Sequence, residues 1–146
     1  MLIAVGSDHR GLEFKKFVIQ CLTELGLESQ DFGSFSVEPV DYPDIAGTVG
    51  KAVVNGQCNF GILICGTGIG MSIAANKVKG IRAALCCDAF AAERARLHNN
   101  ANIICLGAER GEEGVEDILG LFFSTQFEGG RHQRRLEKLV EMENSA

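Results

Sequence analysis

The sequence predicts an α/β fold, a three-layer αβα sandwich around a five-stranded parallel sheet. Two observations lead to this prediction. Short apolar runs of strand length alternate along the chain with segments whose apolar residues recur at helical spacings of three and four. No internal repeat or linker interrupts the 146 residues, so residues 1–146 are expected to form a single Rossmann-like domain.

The first half of the chain supplies three strands and two helices. Residues 2–7 form the first apolar run and are predicted as a strand. Residues 14–25 place their apolar side chains on one helix face, and a glycine follows where the helix should end. A second, partly polar strand is expected over residues 27–32. Residues 42–55 then have helical spacing, and residues 60–65 form the third strand.

The second half continues the same alternation of strands and helices. A short helix is predicted over residues 68–76, a strand over residues 81–86 and a helix over residues 88–98. Residues 103–106 complete the set of five strands. Because helices separate the strands, each connection should be a crossover that returns the chain for another parallel strand.

Two further helices are predicted near the carboxyl end, over residues 111–125 and 133–143. The last of them is mostly polar but places Leu136, Leu139 and Val140 at helical spacing. This apolar stripe is expected to lie at an interface with a second subunit.

The composition restricts the classes of partner and compartment. A net charge of -5 makes a nucleic-acid surface or an anionic membrane a poor default partner. No apolar run approaches the roughly 20 residues that a membrane helix needs, and residues 2–8 lack the pattern of a secretory leader. The six cysteines show no CxxC pair and no zinc-type spacing. We therefore expect a cytoplasmic protein with reduced thiols and no metal site.

Polar residues follow the predicted strands at their carboxyl ends, where open parallel sheets bind their ligands. The residues concerned are Ser7, Asp8 and His9 after the first strand, Cys65 and Gly66 to Gly70 after the third, Asp88 after the fourth, and Gly107, Glu109 and Arg110 after the fifth. We expect a ligand site at this edge, and we expect His98 to contribute to it.

The glycine loop GTGIG can cradle an anion with its backbone N–H groups, because Gly66, Gly68 and Gly70 keep side chains out of the way. It lacks the lysine of a Walker loop, and Met71 stands where a dinucleotide fingerprint has its third glycine. Asp88, about 20 residues further on, leaves a noncatalytic nucleotide-binding module open as an alternative. A tight turn without a ligand is the other alternative.

Cys65 precedes this loop, and a thiol beside free N–H groups can act as a base. The other five cysteines are expected to be packed, small apolar residues. Histidine is a residue type suited to proton transfer, so His98 is a candidate, although it could be a surface residue at a helix end. Asp8 could instead cap the first helix, and residues 131–135 could be a solvated helix start rather than a phosphate site.

Six sequence blocks occur in order along the chain. They are GSDHRG at 6–11, VDYPD at 40–44, ILICGTGIGMSIAANK at 62–77, GIRAA at 80–84, HNNAN at 98–102 and FEGGRHQRR at 127–135. Together they resemble the type B ribose-5-phosphate isomerase family, which includes relatives that isomerise allose and galactose phosphates. The resemblance implies an aldose-ketose isomerase that interconverts ribose 5-phosphate and ribulose 5-phosphate through an enediol, with no metal and no organic cofactor.

The resemblance also implies catalytic roles. Cys65 would be the base that moves a proton between carbons 1 and 2, and His98 would be the acid that opens the sugar ring. The enediolate oxygen would be stabilised by the backbone of the loop, with help from the Thr67 hydroxyl. The loop residues are Gly66, Thr67, Gly68, Ile69 and Gly70.

Substrate contacts are implied for six further positions. These are Asp8, His9, Tyr42, Asn99, Arg131 and Arg135. Asp8 and Asn99 would bind sugar hydroxyls or the ring oxygen, and Tyr42 would line the site. The other three would bind phosphate, some of them in a site on the neighbouring subunit, so a homodimer or a dimer of dimers with shared active sites is expected.

Two positions refine the resemblance. In one branch of the family a glutamate after the glycine loop replaces the cysteine as base, but this chain has Met71, which indicates the cysteine branch. Members often carry an arginine after the fifth strand, where this chain has Glu109 followed by Arg110. The preference between five- and six-carbon sugar phosphates is left open.

Overall fold

All five predicted strands are present and run parallel in one sheet. The computed structural model describes residues 1–146. The strands are β1 (Leu2–Ser7), β2 (Glu28–Asp31), β3 (Phe60–Cys65), β4 (Ala83–Leu85) and β5 (Ile103–Gly107), in the spatial order β2-β1-β3-β5-β4. The register places Cys65, the last residue of β3, opposite Gly107 of β5.

Six α-helices connect or follow the strands. They are α1 (Leu12–Glu24), α2 (Tyr42–Val54), α3 (Ile69–Ala75), α4 (Ala89–Asn99), α5 (Val115–Ser124) and α6 (Arg131–Ser145). Two short 3-10 turns, His9–Gly11 and Ala108–Arg110, follow β1 and β5 and were not predicted. No helix is both long and apolar enough to cross a membrane.

Helices cover both faces of the sheet, which confirms the three-layer prediction. On one face α1, α4 and α5 pack against Ile62 and Ile64 of β3. On the other face α2 and α3 pack against Leu63 and Cys65 of the same strand. Successive strand residues therefore point to opposite layers, as the pleat requires, and the sulfur of Cys65 belongs to the α2 and α3 side.

Two predicted boundaries were wrong for local reasons. β4 has three residues rather than six, because side chains satisfy the backbone near its start: Asn102 Oδ1 accepts from Arg82 N–H and Asn76 Oδ1 accepts from Ala83 N–H. α5 begins later than predicted because Gly111 and Gly114 both have a φ of +80°, a left-handed conformation that does not continue a helix.

The last helix is anchored only near its start. His132 and Leu136 are buried, whereas Leu139, Val140 and Met142 are exposed, Met142 by 68%. A cleft of about 650 Å³ lies between this helix and the start of β4, lined in part by Ile81, Ala83, Leu139 and Met142. That the last helix lies at a subunit interface remains a prediction. Its exposed apolar residues support this prediction.

A buried lysine fixes the loop that connects β2 to α2. Lys15 of α1 is fully buried, and its Nζ donates to Asp31 Oδ1 at 2.7 Å and to the Ser34 carbonyl. Asp31 Oδ1 also accepts from Gly33 N–H at 2.8 Å. The charge of Lys15 is therefore paired with a carboxylate and a carbonyl at the start of this loop.

Replacing Lys15 with alanine is expected to lower the free energy of unfolding by about 2–4 kcal/mol. The change leaves a cavity and removes the cation that pairs with Asp31, although partial exposure of Asp31 lets water compensate some of the charge. Lys15→Met keeps most of the buried volume and should cost less. Urea denaturation of both variants measures this, and an alanine variant as stable as the wild type would contradict it.

Candidate active site

The turn after β1 fixes two of the predicted site residues. Asp8 Oδ1 accepts the N–H groups of Arg10 and Gly11 at 3.0 and 3.1 Å, so Asp8 caps the 3-10 turn that precedes α1. His9 Nδ1 accepts Val40 N–H at 3.2 Å. A ring nitrogen that accepts is unprotonated, so the remaining proton of a neutral His9 is on Nε2, where it can be donated to a ligand.

Cys65 ends β3 and is nearly buried beneath the glycine loop. Its Sγ accepts Gly68 N–H at 3.2 Å. Gly68 has a φ of +79°, and a Cβ on it would lie 2.6 Å from Leu85 Cδ1, so the loop can take this path only with glycine here. The path of the backbone thus directs an amide at the sulfur.

The rest of the loop presents donors to the same edge of the sheet. Thr67 Oγ1 accepts Ile69 N–H at 3.2 Å, whereas the N–H groups of Gly66, Thr67 and Gly70 donate to no acceptor within the chain. The ring of Tyr42 lies directly against Gly70, where any side chain would overlap it. The loop is therefore a set of free amides beside Cys65, bordered by an aromatic ring.

Glu109 reaches the same loop from the turn after β5. Its N–H donates to the Gly66 carbonyl at 2.9 Å, and its Oε1 accepts from Arg10 Nη2 at 2.8 Å. Arg110 instead lines a small crevice with Cys86 and Cys87. The arginine beside the glycine loop is Arg10, held there by Glu109, and it was not among the predicted site residues.

His98 and Asn99 lie at the other edge of the sheet. The guanidinium of Arg82, just before β4, donates to the Asn99 carbonyl at 3.1 Å, so the end of α4 lies beside the start of β4. Strands of five or six residues at about 3.3 Å per residue separate the two edges by about 15 Å. The expectation that His98 joins Cys65 at one edge is therefore wrong within a single chain.

The physical reason is the crossover itself. A helix that follows a parallel strand starts at the carboxyl edge and must return the chain to the amino edge, where the next strand begins. Asp88 starts α4 and His98 is near its end, so the two are at opposite edges. Polar residues at helix starts and at helix ends cannot share one edge of such a sheet.

A second polar cluster surrounds His98. Its ring stacks on that of His132 with centroids 4.3 Å apart, and Glu128 Oε2 lies 3.5 Å from His132 Nε2 and 4.0 Å from His98 Nε2. Asn99 and Arg135 line a cavity of about 390 Å³ at the same place. The structure thus brings His98, Asn99 and Arg135 together, apart from the residues around Cys65.

His132 is a residue that the sequence analysis missed. It is buried, and its Nε2 has no hydrogen-bond partner. Burial lowers the pKa of His132, and the charges of Arg131 and His98 lower it further. It therefore favours the neutral imidazole. The available signal was its position inside the block FEGGRHQRR, between the two arginines selected for phosphate binding.

The cluster also offers three potential metal ligands. Atoms of His98, Glu128 and His132 lie within 4.8 Å of one another. The two imidazole planes differ by only 15°, however, so their in-plane lone pairs point side by side rather than towards one ion. The positive charges of Arg131 and Arg135 act on the same place. This arrangement suits an anion better than a cation.

Asp88 was the feature that supported the alternative of a noncatalytic nucleotide-binding module. Asp88 Oδ1 accepts Ala91 N–H at 2.7 Å and so caps α4. This capping role accounts for an aspartate after β4 without any nucleotide.

The cysteines follow the prediction with one exception. Cys21, Cys58, Cys86 and Cys105 are buried, but Cys87 is exposed. Burial raises the pKa of Cys86 to about 12, and the negative charges of Cys87 and Asp88 in their ionised forms add to this effect. Burial likewise raises the pKa of Cys105. These two thiols remain protonated at neutral pH. Cys65 differs from them in that its Sγ accepts an N–H of the glycine loop.

Comparison with known proteins identifies relatives over almost the whole chain. A model of the Ribose/Galactose Isomerase family matches residues 3–139. Ribose-5-phosphate isomerase B of Escherichia coli (strain K12) is 44% identical over 142 residues, which cover 97% of this chain and 95% of that protein. A putative sugar phosphate isomerase of Bacillus subtilis (strain 168) is 45% identical and covers 98% of this chain and 97% of its own length.

Solved structures agree with this relationship. Ribose-5-phosphate isomerase B of Clostridium thermocellum superposes with a TM-score of 0.96 at 46% identity, over 99% of both chains. The Mycoplasma genitalium ribose-5-phosphate isomerase B, solved with bound ribulose 5-phosphate, has a TM-score of 0.92 at 40% identity, over 99% of this chain and 97% of that one. With the family match and the shared fold, the chain belongs to the Ribose/Galactose Isomerase family.

Proposed function

We propose that the protein is an aldose-ketose isomerase that interconverts ribose 5-phosphate and ribulose 5-phosphate, a step of pentose phosphate metabolism. The observation that carries the proposal is the placement of Cys65, nearly buried at the end of β3 and beside free loop amides. Relatives with 44–46% identity over nearly the full chain are named ribose-5-phosphate isomerase B, which supports the same activity.

Cys65 acts as the base in this proposal. Its thiolate takes the proton from carbon 2 of the open-chain aldose, and the electron pair moves to the carbonyl oxygen to give an enediolate. The same sulfur returns the proton to carbon 1 while a proton passes from the oxygen on carbon 2 to that on carbon 1, giving the ketose. Loop amides directed at the developing oxyanion are worth about 3 kcal/mol each. The Thr67 hydroxyl assists this stabilisation.

Ring opening precedes this step, because ribose 5-phosphate is mostly a closed furanose in water. His98 is the acid that protonates the ring oxygen, and Asn99 binds beside it. Since His98 and Cys65 lie at opposite edges of the sheet in one chain, the acid must come from a second copy. The proposed enzyme is therefore a homodimer, or a dimer of dimers, in which each active site uses both chains.

Exposed apolar surface supports this assembly at both edges. At the carboxyl edge, Ile69 and Ile73 of α3 are more than half exposed next to the catalytic loop. At the amino edge, Leu139 and Met142 of α6 line the open cleft. Two antiparallel copies related by a twofold axis would cover both surfaces in pairs and place His98 of the partner subunit over Cys65.

Substrate positions follow from the same arrangement. His9 Nε2–H and the guanidinium groups of Arg131 and Arg135 bind the phosphate, the two arginines being supplied with His98 from the other chain. Asp8 has one carboxylate oxygen left for a sugar hydroxyl after capping its turn. The ring of Tyr42 borders the sugar.

A six-carbon substrate is the second candidate, because the matching family includes galactose isomerases. Relative kcat/KM on ribose 5-phosphate, allose 6-phosphate and galactose 6-phosphate separates the two. We expect kcat/KM to be at least about tenfold higher for ribose 5-phosphate. One extra carbon would move the phosphate away from the side chains proposed to bind it. Faster turnover of either hexose phosphate would assign the six-carbon activity instead.

A further inference from the structure

An ion pair lies across the opening of the glycine loop. Arg10 Nη2 and Glu109 Oε1 are 2.8 Å apart, and the side chains are 63% and 54% exposed. A Cβ placed on Gly66 would lie 2.8 Å from Glu109 Oε1 and 3.6 Å from Arg10 Cζ. Both charged groups therefore lie beside Gly66, in the loop that contains the free N–H groups.

The position of the carboxylate conflicts with anion binding. Glu109 carries a negative charge at the point where the loop would receive a phosphate or an enediolate oxygen, and like charges at such distances repel. Arg10 is held by the same carboxylate, so its charge is not available to an incoming anion. An exposed ion pair of this kind is weak, however, and a stronger anion can displace one partner.

We propose that Arg10 binds the substrate phosphate and that the Glu109 carboxylate competes with phosphate for Arg10. A phosphate dianion carries more charge than a carboxylate and matches the planar guanidinium with two parallel hydrogen bonds. It replaces Glu109 at Arg10, and the released carboxylate moves away from Gly66. An uncharged sugar cannot make this exchange, so the pair discriminates in favour of phosphorylated ligands.

The exchange links binding to the proposed chemistry. While Glu109 lies over Gly66, the loop amides face a negative group beside the place where the enediolate forms. Once phosphate has taken its position at Arg10, the Glu109 carboxylate no longer lies against Gly66. This part of the inference rests on the proposed function, whereas competition for Arg10 does not.

Isothermal titration calorimetry tests the competition without turnover. Inorganic phosphate is titrated into the full-length wild type, Arg10→Gln and Glu109→Gln. Ribose 5-phosphate is titrated into the same set carrying Cys65→Ala. Lys16→Gln and Glu13→Gln are matched controls, because Lys16 and Glu13 form an exposed pair at 2.9 Å on α1. Isomerase kcat/KM is measured for each variant that retains Cys65.

Arg10→Gln should weaken both ligands about tenfold or more, because it removes a charge-assisted contact. Glu109→Gln should strengthen them several-fold, and the controls should stay within about twofold of the parent protein. The inference would be overturned if phosphate affinity were unchanged in Arg10→Gln or if it fell in Glu109→Gln. It would also be overturned if phosphate binding were undetectable in every one of these proteins. Arg10-dependent phosphate binding without isomerase activity would instead keep the inference and reject the proposed function.

Discussion

Cys65→Ala is expected to lower kcat/KM for ribose 5-phosphate by about a thousandfold or more, because it removes the group proposed to take the carbon-bound proton. Cys105 and Cys86 cannot substitute, since burial keeps both thiols protonated. The fold should persist, because alanine fills most of the same space at a nearly buried position. Coupled spectrophotometric assay of turnover and circular dichroism of the variant measure the two effects.

The control for this experiment is Cys58→Ala. Cys58 is also buried, but it precedes β3 and so lies at the edge of the sheet away from the loop. It should keep near-normal turnover with a modest loss of stability. A Cys65→Ala enzyme with turnover within tenfold of the wild type would remove this thiol from the chemistry.

Replacing His98 with glutamine is the second large expected effect. Isomerisation of ribose 5-phosphate should fall about 100-fold, because the furanose then opens without an acid. Ribulose 5-phosphate has no furanose form, since the hydroxyl that would close the ring carries the phosphate. Exchange of its carbon 1 proton with solvent should therefore be retained within a few-fold, while Cys65→Ala abolishes it.

Proton NMR in D2O follows this exchange directly. The matched control is His132→Gln, which changes the ring stacked on His98 without removing the proposed acid. It should lose less isomerase activity than His98→Gln. If His98→Gln lost proton exchange as completely as isomerisation, His98 would belong to the enolisation step and the assignment to ring opening would be wrong.

The fold was predictable because its signals are local. The apolar run ending at Cys65, the glycine after each early helix and the helical spacing of α1 and α2 each specify one element without reference to the rest of the chain. The lengths of β4 and α5 were not predictable, because they depend on side chains from elsewhere in the fold and on backbone conformations of particular glycines. Asn76 and Asn102, for example, supply the bonds that replace the sheet ladder at the start of β4.

The arrangement of the candidate site was only partly predictable, and the roles of its residues remain predictions. Cys65, the loop amides, His9 and Tyr42 lie together, as expected from strand ends at one edge of a parallel sheet. His98 was assigned to the wrong edge because α4 carries the chain from the carboxyl edge at Asp88 to the amino edge at His98. The Arg10 to Glu109 pair depends on two turns that are 99 residues apart, and no local pattern indicates it.

Mixing two inactive variants tests the central claim most directly, namely that each active site combines Cys65 of one chain with His98 of another. Cys65→Ala and His98→Gln are unfolded together, refolded at equal ratio and assayed with ribose 5-phosphate. Random pairing gives mixed dimers in which one of two sites has both groups, so activity should return to about one quarter of the wild-type value. Activity no higher than the average of the two separate variants would show that the site does not combine these residues across two chains.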